Sequence, residues 1–122
     1  MLGALPGSRK ARAGCGDQVR VSRELLVREV KEKDFQQMVE ELFRLKGWLV
    51  YHTLRSKGSE PGFPDLVMLK DGRLVVAELK TEKGRISAPQ FRWIEEFSLV
   101  AEAEVHLWRP SDWEEIERVA CA

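Results

Sequence analysis

The chain has 122 residues, with 20 basic and 20 acidic side chains and no net charge. That length supports one core and one domain. No run approaches the ~20 apolar residues of a membrane span, and neutrality weighs mildly against a polyanion-binding role without excluding one. Cys15 and Cys121 lie near opposite ends, so no disulfide framework or zinc site is suggested, and free thiols in a reducing, cytoplasmic setting are expected.

The charge is spread unevenly. Residues 1–31 hold seven Lys/Arg against three acids, a net of +4, and the remainder carries −4. Residues 1–18 have no apolar periodicity and 19–31 are short and strongly charged. The first 31 residues therefore read as a basic tail, disordered or partly helical, with the folded domain expected over 32–122.

From Glu32 to Lys46 the apolar residues Phe35, Met38, Val39, Leu42, Phe43 and Leu45 recur at helical spacing, and Gly47 supplies a stop. Trp48 to Leu54 is rich in aromatic and β-branched residues and reads as a strand. A polar Gly/Pro loop, 55–64, carries Arg55 and Lys57. Two apolar runs then flank Asp71-Gly72, the turn chemistry of a two-residue hairpin. Ser87-Ala-Pro-Gln90 is a capping-box pattern opening a helix with Phe91, Trp93, Ile94 and Phe97. Glu104 to Trp108 reads as a strand, and Ser111-Asp-Trp-Glu114 as a second capping box before a terminal helix. The order is α-β-β-β-α-β-α, an α/β fold with a mixed sheet between helices.

The hairpin sets the functional question. With Asp71 and Gly72 as the loop, Lys70 faces Arg73 and the continued register places Asp65 opposite Glu78, where side chains lie about 5 Å apart. Alternation puts Glu78 and Lys80 on that same face. Both runs are apolar on both faces, the pattern of strands covered on each side. Facing carboxylates repel unless a divalent cation lies between them. The alternative is a solvated strand end with Lys80 as counter-ion. His52 and His106 have no ligand spacing and are expected to be packed or superficial.

Pro64-Asp65 followed across a hairpin by Glu78-Leu79-Lys80 resembles the PD-(D/E)xK nuclease pattern, whose restriction-endonuclease-like core has the order αβββαβ. More narrowly, residues 32 to 117 resemble a stand-alone VRR-NUC domain of the kind carried by phages and bacteria. The matching stretches are Glu32-Lys-Asp-Phe-Gln36, Gly47-Trp-Leu-Val-Tyr-His52, Gly62-Phe-Pro-Asp65, Glu78-Leu-Lys80-Thr-Glu-Lys-Gly84, Ser87-Ala-Pro-Gln90 and Trp108-Arg-Pro-Ser-Asp112. The resemblance implies a metal-dependent deoxyribonuclease acting on branched DNA such as four-way (Holliday) junctions, commonly as a homodimer, in a bacterial or phage-infected cell. It implies Mg²⁺ or Mn²⁺ held by Asp65, Glu78 and the Leu79 carbonyl, with Lys80 positioning water and Glu32 and Gln90 assisting. Should the helix register differ, Glu40 replaces Glu32.

The chemistry suits those residue types. Mg²⁺ prefers oxygen donors and takes one or two carboxylates, and a lysine beside a cation has its neutral form favoured. DNA contacts are expected from Arg55, Lys57, Lys83, Arg85 and Arg92. A dimer interface is expected around Trp93 and Phe97, or around Trp108 and Trp113, unless these rings all pack inside the monomer. Other readings are a catalytically weak nucleic-acid-binding module, a restriction-type endonuclease, and a plain protein-interaction domain.

Overall fold

The computed structural model describes residues 30–54 and 58–122. Most of the expected basic tail, together with Cys15, Arg55 and Lys57, lies outside the described residues. Helix α1 (Glu32–Leu45) leads into strand β1 (Leu49–His52), then β2 (Leu66–Lys70) and β3 (Arg73–Leu79), helix α2 (Ala88–Ser98), strand β4 (Ala103–Trp108), a 3₁₀ turn (Pro110–Asp112) and helix α3 (Trp113–Cys121). The sheet order is β1-β2-β3-β4, antiparallel except for the parallel β3–β4 pair. This is the expected α/β class: a four-stranded mixed sheet flanked by helices.

Local chemistry explains the boundaries. Helix α1 ends where Gly47 takes φ +93°, with Gly47 N–H donating to Arg44 O and Trp48 N–H to Phe43 O, the left-handed exit that favours glycine. At the hairpin, Asp71 and Gly72 take φ 49° and 81°, the positive pair that matches the twist of adjoining strands. The register follows from that turn: Lys70 faces Arg73, and Leu66 faces Ala77.

One face of the sheet is fully closed. Phe35, Val39 and Phe43 of α1 and Trp113, Ile116 and Ala120 of α3 meet Leu66, Met68, Val75, Ala77, Leu79 and Trp108. Val30, on the tail side of the expected domain boundary, also packs against this core. Trp48 precedes β1 rather than opening it; it is buried, donates from Nε1 to Ala120 O at 3.0 Å, and meets Phe43 edge-on.

The other face departs from expectation. Helix α2 contributes nothing to the closed core, and packs against β3 and β4. Leu49 and Tyr51 of β1 and Leu69 of β2 are 71, 61 and 48% exposed. The hairpin is therefore not covered on both sides, because one eleven-residue helix cannot span four strands.

Two further expectations need correction. The Ser111–Glu114 capping box does not form: Asp112 Oδ2 instead accepts the Arg109 N–H at 2.8 Å, and Ser111 N–H donates to Glu82 Oε2. Trp108 and Trp113 are 0 and 3% exposed, so that pair belongs to the core and offers no interface. By contrast, the Ser87 box is complete, with Ser87 Oγ accepting from Gln90 N–H and Gln90 Oε1 from Ser87 N–H.

Candidate active site

Residues 61–65, which deliver Asp65, are fixed one by one. Gly62 takes φ +88°, and a Cβ there would lie 2.5 Å from the Pro89 carbonyl carbon, so only glycine permits the loop to seat on the start of α2. Phe63 sits between Trp93 and Phe97, with centroids 5.0 and 5.8 Å away, and Trp93 Nε1 donates to Pro61 O. Thr53 Oγ1 donates to Pro64 O at 2.7 Å, and Thr53 N–H to Asp65 O at 2.8 Å. Asp65 Oδ2 then accepts the Leu79 N–H at 2.8 Å. That bond ties its carboxylate across the open end of the hairpin, beside Glu78.

Glu78 is 1% exposed, and neither of its carboxyl oxygens receives an N–H or hydroxyl donor; the neighbouring Asp65 carboxyl is the group placed to share a proton with it. Its strand neighbours Ala77 and Leu79 enter the core, so alternation turns Glu78 the other way. Lys80 Nζ stands 3.9 Å from Glu78 Oε2, too far for a hydrogen bond. Burial pushes the Glu78 carboxyl up to about 8; the charge of Asp65 adds to the rise, Lys80 opposes it, and Glu32 raises it further. A buried acid lacking a donor costs several kcal/mol when ionised. Oxygen-only donors with unsatisfied lone pairs suit a hard divalent cation, which needs only one or two carboxylates. Among the described residues no group of three His, Cys, Asp or Glu side chains is arranged to hold a metal ion.

The remaining expected residues fall into two groups. Glu32, half-buried in the first turn of α1, is close enough to act electrostatically on Glu78. It lines an open cleft of about 480 Å³ with Gln36, Glu40, His52, Thr53 and Asp65. Glu40 is engaged by Gln36 Nε2 and Arg44 Nη1. Gln90 has its Oε1 committed to the Ser87 cap. Lys83, Arg85 and Arg92 are exposed. His52 lines the cleft, whereas His106 stacks on Trp108 at 4.6 Å and lies 3.3 Å from Glu115, its pKa lowered chiefly by burial.

Sequence reasoning missed Arg109. Its Nη1 donates to the carbonyls of Thr81 at 2.6 Å and Gly84 at 2.7 Å, with a longer contact of 3.3 Å to Glu82 O. Lys80 N–H donates to Trp108 O. The available signal was the pair of stretches at 78–84 and 108–112, each noted separately and in contact here.

With the geometry in place, comparison with solved structures finds a VRR_NUC domain at 28% identity and a TM-score of 0.58, covering 75% of this chain and 95% of that one. No family model matches the sequence, and no curated protein matches it. Among the described residues no helix is long and apolar enough to cross a membrane. In fold and in sequence the chain is similar to a VRR-NUC domain, and its architecture is nuclease-like.

Proposed function

We propose that the protein is a Mg²⁺- or Mn²⁺-dependent endonuclease that hydrolyses phosphodiester bonds in branched DNA. The observation that carries the reading is Glu78: a carboxyl group closed from solvent beside Asp65, with no N–H or hydroxyl donor on either oxygen. Asp65, Glu78 and the Leu79 carbonyl would hold the cation. When bound, it would acidify a water and stabilise charge on the phosphate oxygens. Asp65 is oriented by the Leu79 N–H, so its second oxygen is the one directed by the fold. Lys80, 11% exposed in its side chain, orients the attacking water. Glu32 adds negative charge from the α1 side, and Gln90 offers its Nε2 amide beyond the cap. Lys83, Arg85 and Arg92, with Arg55 and Lys57, supply the phosphate grip.

A homodimer belongs to the same proposal, since paired incision of a four-way junction needs two centres related by a two-fold axis. Leu49, Tyr51 and Leu69 favour the open half of the sheet as the shared surface, because such apolar area is unusual on an isolated monomer. A second copy packing in isologous fashion would cover it. Sedimentation of the parent and of Leu69→Glu at micromolar concentration tests this: a monomeric parent overturns it.

The test of function is a cleavage panel of duplex, flap and four-way-junction DNA with Mg²⁺, Mn²⁺ or chelator. Cation-dependent cutting of the branched substrates is expected. Salt-sensitive binding without cleavage under any cation would replace this reading with a binding module of the same fold, and sequence-dependent cutting of plain duplex would indicate a restriction-type enzyme.

A further inference from the structure

Arg109 is the one basic residue in the acidic stretch 95–117, and its position on the strand-end loop after β4 suggests a DNA contact. Its hydrogen bonds point elsewhere. One guanidinium nitrogen gathers the carbonyls of Thr81 and Gly84 at 2.6 and 2.7 Å, with Glu82 O at 3.3 Å, and so closes the turn that follows Lys80. The outside of the same turn is held by Ser111 N–H on Glu82 Oε2 at 2.6 Å. Arg109 is itself anchored, because its backbone N–H donates to Asp112 Oδ2.

The turn in question borders the lysine. A Cβ at Gly84 would lie 3.5 Å from Lys80 Cδ and 3.0 Å from Thr81 Oγ1, so the Gly84 backbone lies close alongside the aliphatic stem of Lys80. The Lys80 N–H is fixed to Trp108 O, one residue before Arg109. Backbone and stem are thus both set by the segment 108–112. A side chain this long has several rotatable bonds, and at 3.9 Å its Nζ is held near Glu78 by charge attraction and packing, with no hydrogen bond to that carboxyl to fix its direction.

We propose that Arg109 is a positioning residue: by closing the 81–84 turn it walls the Lys80 stem and holds the ammonium group at the Glu78–Asp65 centre. This rests on the nuclease reading for its catalytic consequence but not for its structural one. All three contacts are made by Nη1 alone, so a lysine ammonium with its three N–H donors could stand in for part of them, whereas Arg109→Met keeps much of the stem and removes every donor.

Two measurements on the full chain test it. In DNA cleavage with Mg²⁺, Arg109→Met and Arg109→Ala are expected to lower kcat by about 10- to 100-fold, the range for a displaced reacting group, with KM for DNA and the salt slope of binding unchanged. Added guanidinium should restore part of the Arg109→Ala rate and none of the Lys80→Ala rate. Parent kcat in both variants, or a raised KM with a salt slope flatter by about one, would overturn the proposal and make Arg109 a phosphate contact. Hydrogen exchange gives a readout independent of activity: the Gly84 amide, bonded to Thr81 O at 3.2 Å, should lose protection in Arg109→Met while the α1 amides keep theirs. Unchanged Gly84 protection overturns the proposal even if cleavage falls. Where Arg109→Ala fails to fold, Glu82→Ala loosens the turn from outside, and a parent-like kcat there counts against the idea. A parent protein that cuts no DNA defeats the nuclease reading alone, since the exchange result then still decides the role of Arg109 in holding the turn.

Discussion

At the start of β3 the Arg73 guanidinium makes two bonds to the Glu104 carboxylate, at 2.9 and 2.7 Å; at its end Glu78 and Lys80 stay 3.9 Å apart with no hydrogen bond between them. The first pair is partly exposed, and each partner shifts the other toward its charged form: Arg73 is raised and Glu104 lowered, each chiefly by their mutual hydrogen bond. Arg73 also lies 4.8 Å over the Trp48 ring. The second pair is buried, and its acid is driven the opposite way, up to about 8, because desolvation and Asp65 outweigh Lys80. One strand thus carries a charge pair complete in itself and one that the protein leaves incomplete. Completeness marks a stabilising role, and incompleteness marks the place where a ligand would be used.

The strongest way to break that contrast is to remove the incomplete end. Asp65→Ala and Glu78→Ala should each lower cleavage by about three orders of magnitude or more; the melting temperature should hold or rise in Glu78→Ala, where like-charge repulsion is relieved, and fall in Asp65→Ala, which strands the buried Leu79 N–H. Lys80→Ala should lose turnover without a matching loss of cation affinity by calorimetry. A variant of Asp65 or Glu78 that cuts at the parent rate would remove the site from this end of the strand.

A pH titration of stability sharpens the comparison. The folded pKa of Glu78 lies above its ordinary value of 4.5, at about 8, so between these limits the unfolded chain releases a proton that the folded chain retains. Cation-free stability should therefore be greatest near the acid limit of this window and decline toward pH 8, by a few kcal/mol at about 1.4 kcal/mol per unit. Glu78→Gln should flatten the decline in chemical denaturation, and saturating Mg²⁺ should oppose it by binding the folded state alone. Stability that rises across the window in the cation-free protein would contradict the assignment.

The smallest effect is expected at the complete end. Glu104→Ala should cost about 1 kcal/mol, as for other partly exposed pairs, and Arg73→Ala slightly more through loss of the contact with Trp48. Neither should alter cation affinity. A change in cation binding in either variant would show that the two ends of β3 are coupled.

What the sequence made legible was chemistry decided within a few residues. Asp71-Gly72 fixes the hairpin register because its backbone angles are available to so few residue pairs, and with the register comes the opposition of Asp65 and Glu78. The Ser87–Gln90 cap was readable for the same reason. Ser111–Glu114 has the same pattern and fails, because Glu82, far away in sequence, takes the Ser111 N–H and Asp112 turns back to Arg109. Burial was harder to read. Trp108 and Trp113 could be counted as surplus aromatic surface until the packing of α3 on the sheet gave them a place. Leu69 read as interior, in a hairpin apolar on both faces, until the reach of α2 left it bare. Arg109 gave a local signal of charge alone, whereas its role depends on three carbonyls some 25 residues earlier.

The close seat of Gly62 on Pro89 has a consequence for how binding energy is distributed. With its backbone against α2, its neighbour Phe63 among aromatic rings, and Pro64 and Asp65 tied to Thr53, the loop bearing the carboxylate has little conformational freedom left to lose. The entropy of bringing two like charges together is spent during folding, so the proposed cation would meet a preorganised pair and need not assemble one. In the proposed nuclease, a duplex held at Arg92 would load the same helix on which the Gly62 segment is seated.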